Sequence, residues 1–316
     1  MSGKSGPIIV PADAAACAHA AAHLRAGGIV ALPTETVYGL AARADSDAAV
    51  ASIYRAKGRP DFNPLIVHVP SLAAAKTLAV FDARAQQLAE AFWPGSLTLV
   101  LPLKAGSGIA AAVTAGLPTI ALRCPAHPVM QAVLAECGLP LAAPSANRSG
   151  RVSPTSAAHV AASLGAAAGL ILDGGDCARG IESTIVALRP HGWSLLRPGP
   201  VTHAQIVAII GESDDVTASA ENKIEAPGQL ASHYAPGKPV RLGAVSAGPD
   251  EFHIGFGAVA GAISLSAAGD CAEAAARLYA CLHQAAAAPQ QRIAVAPVPD
   301  SGIGAAINDR LRRAAA

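Results

Sequence analysis

The stretch from residue 28 to residue 69, GIVALPTETVYGLAARADSDAAVASIYRAKGRPDFNPLIVHV, constrains the fold more than any other part of the chain. Ile29-Val30-Ala31-Leu32 is a short apolar run of the kind that forms a fully buried strand, and Pro33 stops it. Thr34-Glu35-Thr36 then makes a polar loop at the strand's carboxyl end, where open α/β sheets take their ligands. Asp45-Ser46 is a helix N-cap, and the pattern predicts a helix to about Arg55, ended by Gly58 and Pro60. Arg55, Lys57 and Arg59 crowd the exit of that helix. A second apolar run, 64–69, returns to the sheet with His68 inside it. Cations in a loop between strands can offset and fork to phosphate oxygens. They are equally a solvated helix end whose charges suit the helix dipole, and the run alone does not choose between the two.

The rest of the chain supplies the frame. Asp13 caps an alanine-rich helix that ends at Gly27-Gly28, and helices near 71–79 and 82–92 end at Trp93-Pro94-Gly95. Strands are expected at 97–101, 119–123 and 170–172. Helices are expected from Pro125 to about Cys137 and, led by Ser153-Pro154-Thr155, to about Leu164. Residues 182–186 and 193–197 read as an antiparallel pair joined through Pro190-His191-Gly192. Parallel and antiparallel connections together predict a twisted mixed sheet covered by helices. The chain turns polar and acidic from Gly211 to Ala226, as a linker does. Beyond Pro239, strands near 240–243, 252–256, 262–266 and 292–296 with helices at 271–286 and 303–313 predict a smaller, mainly parallel, Rossmann-like α/β unit. No G-x-G-x-x-G follows its first strand, so no dinucleotide is expected there. The expected division is 8–210, 211–239 and 240–316.

Composition narrows the partners. Of 316 residues 52% are hydrophobic, ample for a large core, while the formal net charge is only +1 and the cations are local rather than spread. That favours a small anionic ligand over a polynucleotide, and 3% aromatic content argues against a stacking platform for single strands. Six cysteines show neither a C-x-x-C pair nor zinc spacing, so they read as reduced thiols of a cytoplasmic protein with no protein-held metal. The long uncharged stretches are too broken by Gly, Pro and Ser to span a bilayer, so no membrane partner is expected.

PTETVYGL, YRAKGRP, NPLIVHV, FWPGSLTLVL, TIALRCPAHP, APSANRSG, GIESTIV and LLRPG, in that order over roughly residues 10 to 210, resemble the YrdC-type nucleotide-binding domain of the threonylcarbamoyl-AMP synthase family. PGQLASHYAPGKP at 227–239 resembles the linker of the long, two-domain form. The resemblance implies a catalytic domain over 8–210, a linker over the active site and a small C-terminal domain. It implies synthesis of L-threonylcarbamoyladenylate and pyrophosphate from L-threonine, bicarbonate and ATP, with Mg2+ carried on the ATP. The product then serves tRNA threonylcarbamoyladenosine modification through tRNA-modifying partner proteins, and direct tRNA binding is left open. Such chemistry asks the protein for cations and positioning rather than for a nucleophile.

Residue by residue, the resemblance assigns Lys57 and Arg59 to catalysis at the phosphates. It assigns Arg59, Asn63, Thr119, Ser145, Ser153, Arg197 and Tyr234 to ATP, and Thr36, His68, Arg123, Ala143 and Ser183 to threonine, Ala143 through its backbone. Each has an ordinary structural reading beside it. His68 can be a satisfied core histidine, Thr36 a turn cap, Arg123 a strand-end ion pair, and the small hydroxyl residues loop formers. His233-Tyr234 can be an interdomain strap rather than a flap that closes the site. The alternative function is an RNA- or tRNA-binding module of the same fold without adenylate synthesis, against which the low net charge and few aromatics argue. A carbamoyl-transfer maturation enzyme would need zinc-binding segments that these cysteines do not supply, and the full motif set argues against a non-catalytic regulatory relative.

Overall fold

The computed structural model describes residues 6–60, 62–213, 225–229 and 232–316; the acidic part of the expected linker, 214–224, lies outside the described residues. The chain opens with β1 (Ile8–Pro11), α1 (Ala14–Arg25), β2 (Val30–Leu32), β3 (Gly39–Arg43), α2 (Asp47–Lys57), β4 (Ile66–His68), α3 (Leu72–Leu78) and α4 (Ala83–Phe92). It continues through β5 (Leu97–Pro102), α5 (Ala111–Thr114), β6 (Thr119–Arg123), α6 (Pro128–Cys137), β7 (Leu141–Ala142), α7 (Ala157–Leu164) and β8 (Leu170–Asp173) to the hairpin β9 (Thr184–Arg189) and β10 (Gly192–Arg197), then α8 (His203–Ile210). Among the described residues these strands form one ten-stranded sheet in the order β1-β8-β2-β3-β7-β4-β6-β5-β9-β10. It is mixed, as expected: β4 and β6 run parallel, β9 runs parallel to β5, and β3, β7 and β10 pair antiparallel.

Strand alternation sends neighbouring side chains to opposite faces, and each face has its own cover. Val30, Leu32 and Ala41 pack with α1 and α6. Val67, Leu99, Leu101, Leu122 and Val186 pack under α2, α3, α4 and α7. The residues between them, Ile66, Val100, Ala121, Ile185 and Ala187, meet Ala226 of the linker. Side-chain caps from Asp13, Ser46, Ser71, Asp82, Ser156 and Thr202 fix the helix starts, each worth about 1 kcal/mol.

The second unit comprises β11 (Val240–Arg241), β12 (Glu251–Gly255), β13 (Ile263–Ser264), α9 (Cys271–Ala287), β14 (Arg292–Val295) and α10 (Ile303–Ala315). Its sheet, ordered β11-β14-β12-β13, is parallel at every pair, in keeping with the expected small α/β unit. The units share a core, because Val37, Val152, Ile181 and Tyr234 belong to the same apolar cluster as Leu278, Tyr279 and Ile307. Gly180 lies against α9 so closely that a Cβ there would meet the Ala276 carbonyl oxygen at 2.2 Å, so only glycine fits.

Several boundaries differ from the sequence reading, and each difference decides where a polar group lies. Helix α2 does not stop at Arg55 but runs to Lys57, where Gly58 takes the left-handed cap (φ 58°), so Lys57 is a buried helical residue. Helix α6 starts at Pro128 with His127 as cap, not at Pro125, which leaves the Ala126 N–H free to donate to Glu35 at 3.0 Å. Helix α7 starts after Ser156, so Ser153 is outside it and donates to Glu182 at 2.6 Å. Strand β9 begins at Thr184, so Glu182 and Ser183 lie before the ladder.

Candidate active site

A cavity lies between the first unit and the linker, lined among others by Thr34, Thr36, Ile66, His68, Arg123 and Arg197. The expected place was a strand's carboxyl end. Ile66 and His68, alternate residues of β4, both line the cavity, so it spreads over a face of the sheet, the one met by Ala226 of the linker.

One group of polar residues is built around Arg123, buried at the end of β6. Its Nη2 donates to Glu35 Oε1 at 2.5 Å, its Nη1 to Thr36 Oγ1 at 2.8 Å and its Nε to the Gly95 carbonyl at 3.1 Å. An arginine carries five N–H groups, so two remain for a ligand. Thr34 shares a 2.8 Å hydroxyl contact with Thr36, and Ser96 donates to Glu35. Burial alone would push the Glu35 carboxyl up, but the Arg123 charge and hydrogen bonds outweigh it and bring it down to about 2. His68 is buried beside this group. Desolvation, with the Arg123 charge adding to it, lowers its imidazole to about 3, and its Nδ1 has no hydrogen-bond partner among the described residues. It is a neutral group available to a ligand.

A second group gathers cations. Arg59, just past the α2 cap, lines the cavity, held by its bond to the Pro64 carbonyl at 3.0 Å. Arg197, at the end of β10, is buried; it donates to Ser183 through the backbone carbonyl at 3.0 Å and the hydroxyl at 3.1 Å. Ser183 Oγ is in turn 2.7 Å from Thr98 Oγ1. Pro227, Gly228, His233 and Tyr234 of the linker complete the described lining, and Tyr234 is 1% exposed with its hydroxyl unpartnered among the described residues. Its φ of 64° is an outlier for a bulky residue, the kind of strain that packing sustains at functional sites.

Of the residues the sequence singled out, the structure gathers Thr36, Arg59, His68, Arg123, Ala143, Ser145, Ser183, Arg197 and Tyr234 around this one cavity. Four lie elsewhere. Lys57 is behind the lining, its ammonium donating to the carbonyls of Ser145 and Asn147 at 2.5 Å each. Asn63 is buried beside Arg59, which it meets through its backbone, and its side-chain oxygen has no partner. Ser153 is occupied by Glu182. Thr119 shares the face of Ala121 and Arg123 by alternation, but it stands at the far end of β6, roughly 13 Å from Arg123 along the strand. The sequence reading missed Glu35 as the anchor of Arg123, and it missed Glu182 altogether. Both adjoin singled-out residues, Thr36 and Ser183, and a carboxylate next to a motif hydroxyl was the available signal.

The family Sua5/YciO/YrdC, described as "Telomere recombination", matches residues 22–199. The family described as "Threonylcarbamoyl-AMP synthase, C-terminal domain" matches residues 201–316. The chain is 46% identical over 228 residues to a threonylcarbamoyl-AMP synthase of Bacillus subtilis, an alignment covering 71% of this chain and 66% of the relative. It is 44% identical over 225 residues to one of Pyrococcus abyssi, covering 70% and 66%. These aligned regions thus span just under two thirds of each curated relative's length. The crystal structure of P. abyssi Sua5 complexed with L-threonine superposes with a TM-score of 0.89 at 35% identity, covering 98% of this chain and 97% of that one.

Proposed function

Because the chain belongs to the Sua5/YciO/YrdC family, we propose that it is a threonylcarbamoyl-AMP synthase, forming L-threonylcarbamoyladenylate and pyrophosphate from L-threonine, bicarbonate and ATP. The observation that carries this reading is one cavity with two polar groups, Thr36–His68–Arg123 and Arg59–Arg197. The first suits an amino acid: the free N–H groups of Arg123 fork to its carboxylate, and neutral His68 and Thr36 take its polar hydrogens. The second suits a polyphosphate, whose charge two guanidiniums offset. The related P. abyssi protein with L-threonine bound supports the first assignment.

In the reaction, the threonine amine adds to carbon dioxide derived from bicarbonate and loses a proton, leaving a carbamate. A carbamate oxygen attacks the α-phosphorus of ATP, the bond to the β-phosphate oxygen breaks, and pyrophosphate leaves. The protein's part is to hold two anions together and to offset charge as it develops. Arg59 and Arg197 do this at the phosphates. Lys57 fixes the 145–147 loop from behind and reaches the phosphates if it releases those carbonyls. Ser145 and Ser183 hydrogen-bond the nucleotide and the threonine, Ala143 offers its backbone, and Asn63, Ser153 and Thr119 serve ATP from the margins. Tyr234 closes the site against water.

Mg2+ is expected to enter on the ATP phosphates, the usual manner in which this ion reaches nucleotide sites. We assign 8–210 to catalysis, 211–239 to site closure and 240–316 to an accessory unit. The product passes to tRNA-modifying partner proteins. All six cysteines are unpaired and no helix among the described residues is long and apolar enough to cross a membrane; free thiols suit the reducing cytoplasm.

Pyrophosphate release from ATP by the purified protein tests the reading. A requirement for both L-threonine and bicarbonate supports it, and release indifferent to threonine, or none, overturns it.

A further inference from the structure

The guanidinium of Arg310, on α10 of the C-terminal unit, is fully buried. It donates through Nε to Glu182 Oε2 at 2.9 Å, and Nη2 is 3.5 Å from the Glu182 carbonyl oxygen. Its carbon lies 5.5 Å from the ring centre of Tyr234. Tyr279, on α9 of the same unit, donates to Glu182 at 2.8 Å. Glu182 itself belongs to the first unit and lines the cavity, one residue before the Ser183 that holds Arg197. Arg310 also donates through Nη1 to Asp309 at 2.7 Å, and Arg313 donates to Asp309 at 3.1 Å, so two guanidiniums of α10 face the two carboxylates Asp309 and Glu182.

The charges around the cavity make this contact matter. Its lining holds three guanidiniums, Arg59, Arg123 and Arg197, and one buried carboxylate, Glu182. Arg123 is already matched by Glu35. Were Glu182 uncompensated, its charge would fall on Arg197, the lining cation held by the adjacent Ser183, and an incoming polyphosphate would meet little more than Arg59. Burial would by itself push the Glu182 carboxyl up; the Arg310 charge, then that of Arg197, brings it down to about 2, so it stays ionised and its charge must be met.

We propose that Arg310 is a positioning residue for the anion site: by neutralising Glu182 from the second unit, it leaves Arg197 facing the cavity as a net positive charge. The C-terminal unit thereby completes the electrostatics of a site that lies wholly in the first unit and the linker. This deepens the nucleotide reading of the cavity and rests on it.

Direct titration of inorganic pyrophosphate into the full chain tests the proposal without requiring catalysis. Arg310→Met is expected to weaken pyrophosphate binding on the order of tenfold, because an unpaired charge at such range acts through a poorly screened interior, while Arg310→Lys keeps most of the affinity. Glu182→Gln alone is expected to bind pyrophosphate several-fold tighter than the parent, an outcome that a merely structural role does not produce. Arg310→Met combined with Glu182→Gln removes both charges, spares the fold an unpaired buried carboxylate, and should return affinity to near the parent value. Equal affinity in the parent, Glu182→Gln and the double variant would overturn the proposal, as would a parent that does not bind pyrophosphate. A parent that binds pyrophosphate but makes no adenylate fails the functional reading alone.

Discussion

Arg123 and Glu35 meet at 2.5 Å beneath the cavity, with 4% and 13% of their side chains exposed. The pair is an anchor rather than a surface bridge. Glu35 also accepts from Ala126 N–H and Ser96, so it fixes the guanidinium plane that presents two free N–H groups. Glu35→Gln keeps the shape and loses the charge. We expect the KM for L-threonine to rise at least tenfold with kcat changed far less, the mark of lost uniform binding. Steady-state kinetics at saturating ATP checks this, and an unchanged KM would show that Arg123 needs no anchor.

Stability should fall in acid in two stages. His68 and His233 are both buried and lowered to about 3, burial being the main cause. The unfolded chain takes up these protons near its ordinary value of 6.5, before the folded chain does, so stability is full above about pH 6.5 and declines as pH drops toward 3. Glu35 and Glu182, lowered to about 2, add a second loss that begins below about 4.5. Melting temperature measured from pH 7.5 to 4 should show the first decline, and His68→Asn should flatten it. A flat profile down to pH 5 would contradict this account.

The frame was legible because its signals are local. Apolar runs at 29–32, 97–101 and 119–123, and caps at Asp13 and Ser46, each sit within a few residues of what they specify. Strand β3, GLAAR, was missed because small residues carry little strand propensity; its pairing with β2 and β7 is decided by burial. β1 and α8 were also missed. The helix expected from Pro125 starts three residues later, and the one led by Ser153-Pro154-Thr155 starts at Ala157, because groups ahead of those helices bond instead to Glu35 and Glu182. Residues lining the site were readable through their motifs. The Glu182–Arg310 contact was not, since 128 residues separate the partners and each alone resembles an ordinary surface charge.

Lys57 is buried with two carbonyls and no counter-charge, and burial, followed by the Arg59 charge, pulls its ammonium well below the usual lysine range. Replacing it with Met gives up two hydrogen bonds but also removes a costly desolvated cation. The terms oppose, and we expect a net stability change within about 1 kcal/mol, a melting shift of about 4 °C or less. Adenylate synthesis should nonetheless fall by a factor of about 100 or more, as when one charge-stabilising donor is lost. Thermal melts beside pyrophosphate-release rates separate the two. Near-parental rates would remove Lys57 from the reaction.

Tyr234 brings together three features: a left-handed backbone, a ring packed 5.5 Å from Tyr279, and a buried hydroxyl without a partner among the described residues. An unpartnered buried hydroxyl costs roughly 1–3 kcal/mol, so Tyr234→Phe should leave the ligand-free protein as stable or slightly more so. Since the ring is kept, closure over the cavity is kept too. Tyr234→Ala removes the ring, costs about 3–5 kcal/mol by the usual range for aromatic truncation in a core, and opens the cavity beside Arg197. Water then reaches the mixed anhydride. The Ala variant should release AMP and free threonine where the parent retains adenylate, and the Phe variant should behave as the parent does. Chromatographic ratios of AMP to adenylate at matched turnover decide it: equal ratios in parent and Ala variant would show that the linker straps the two units together without guarding the intermediate.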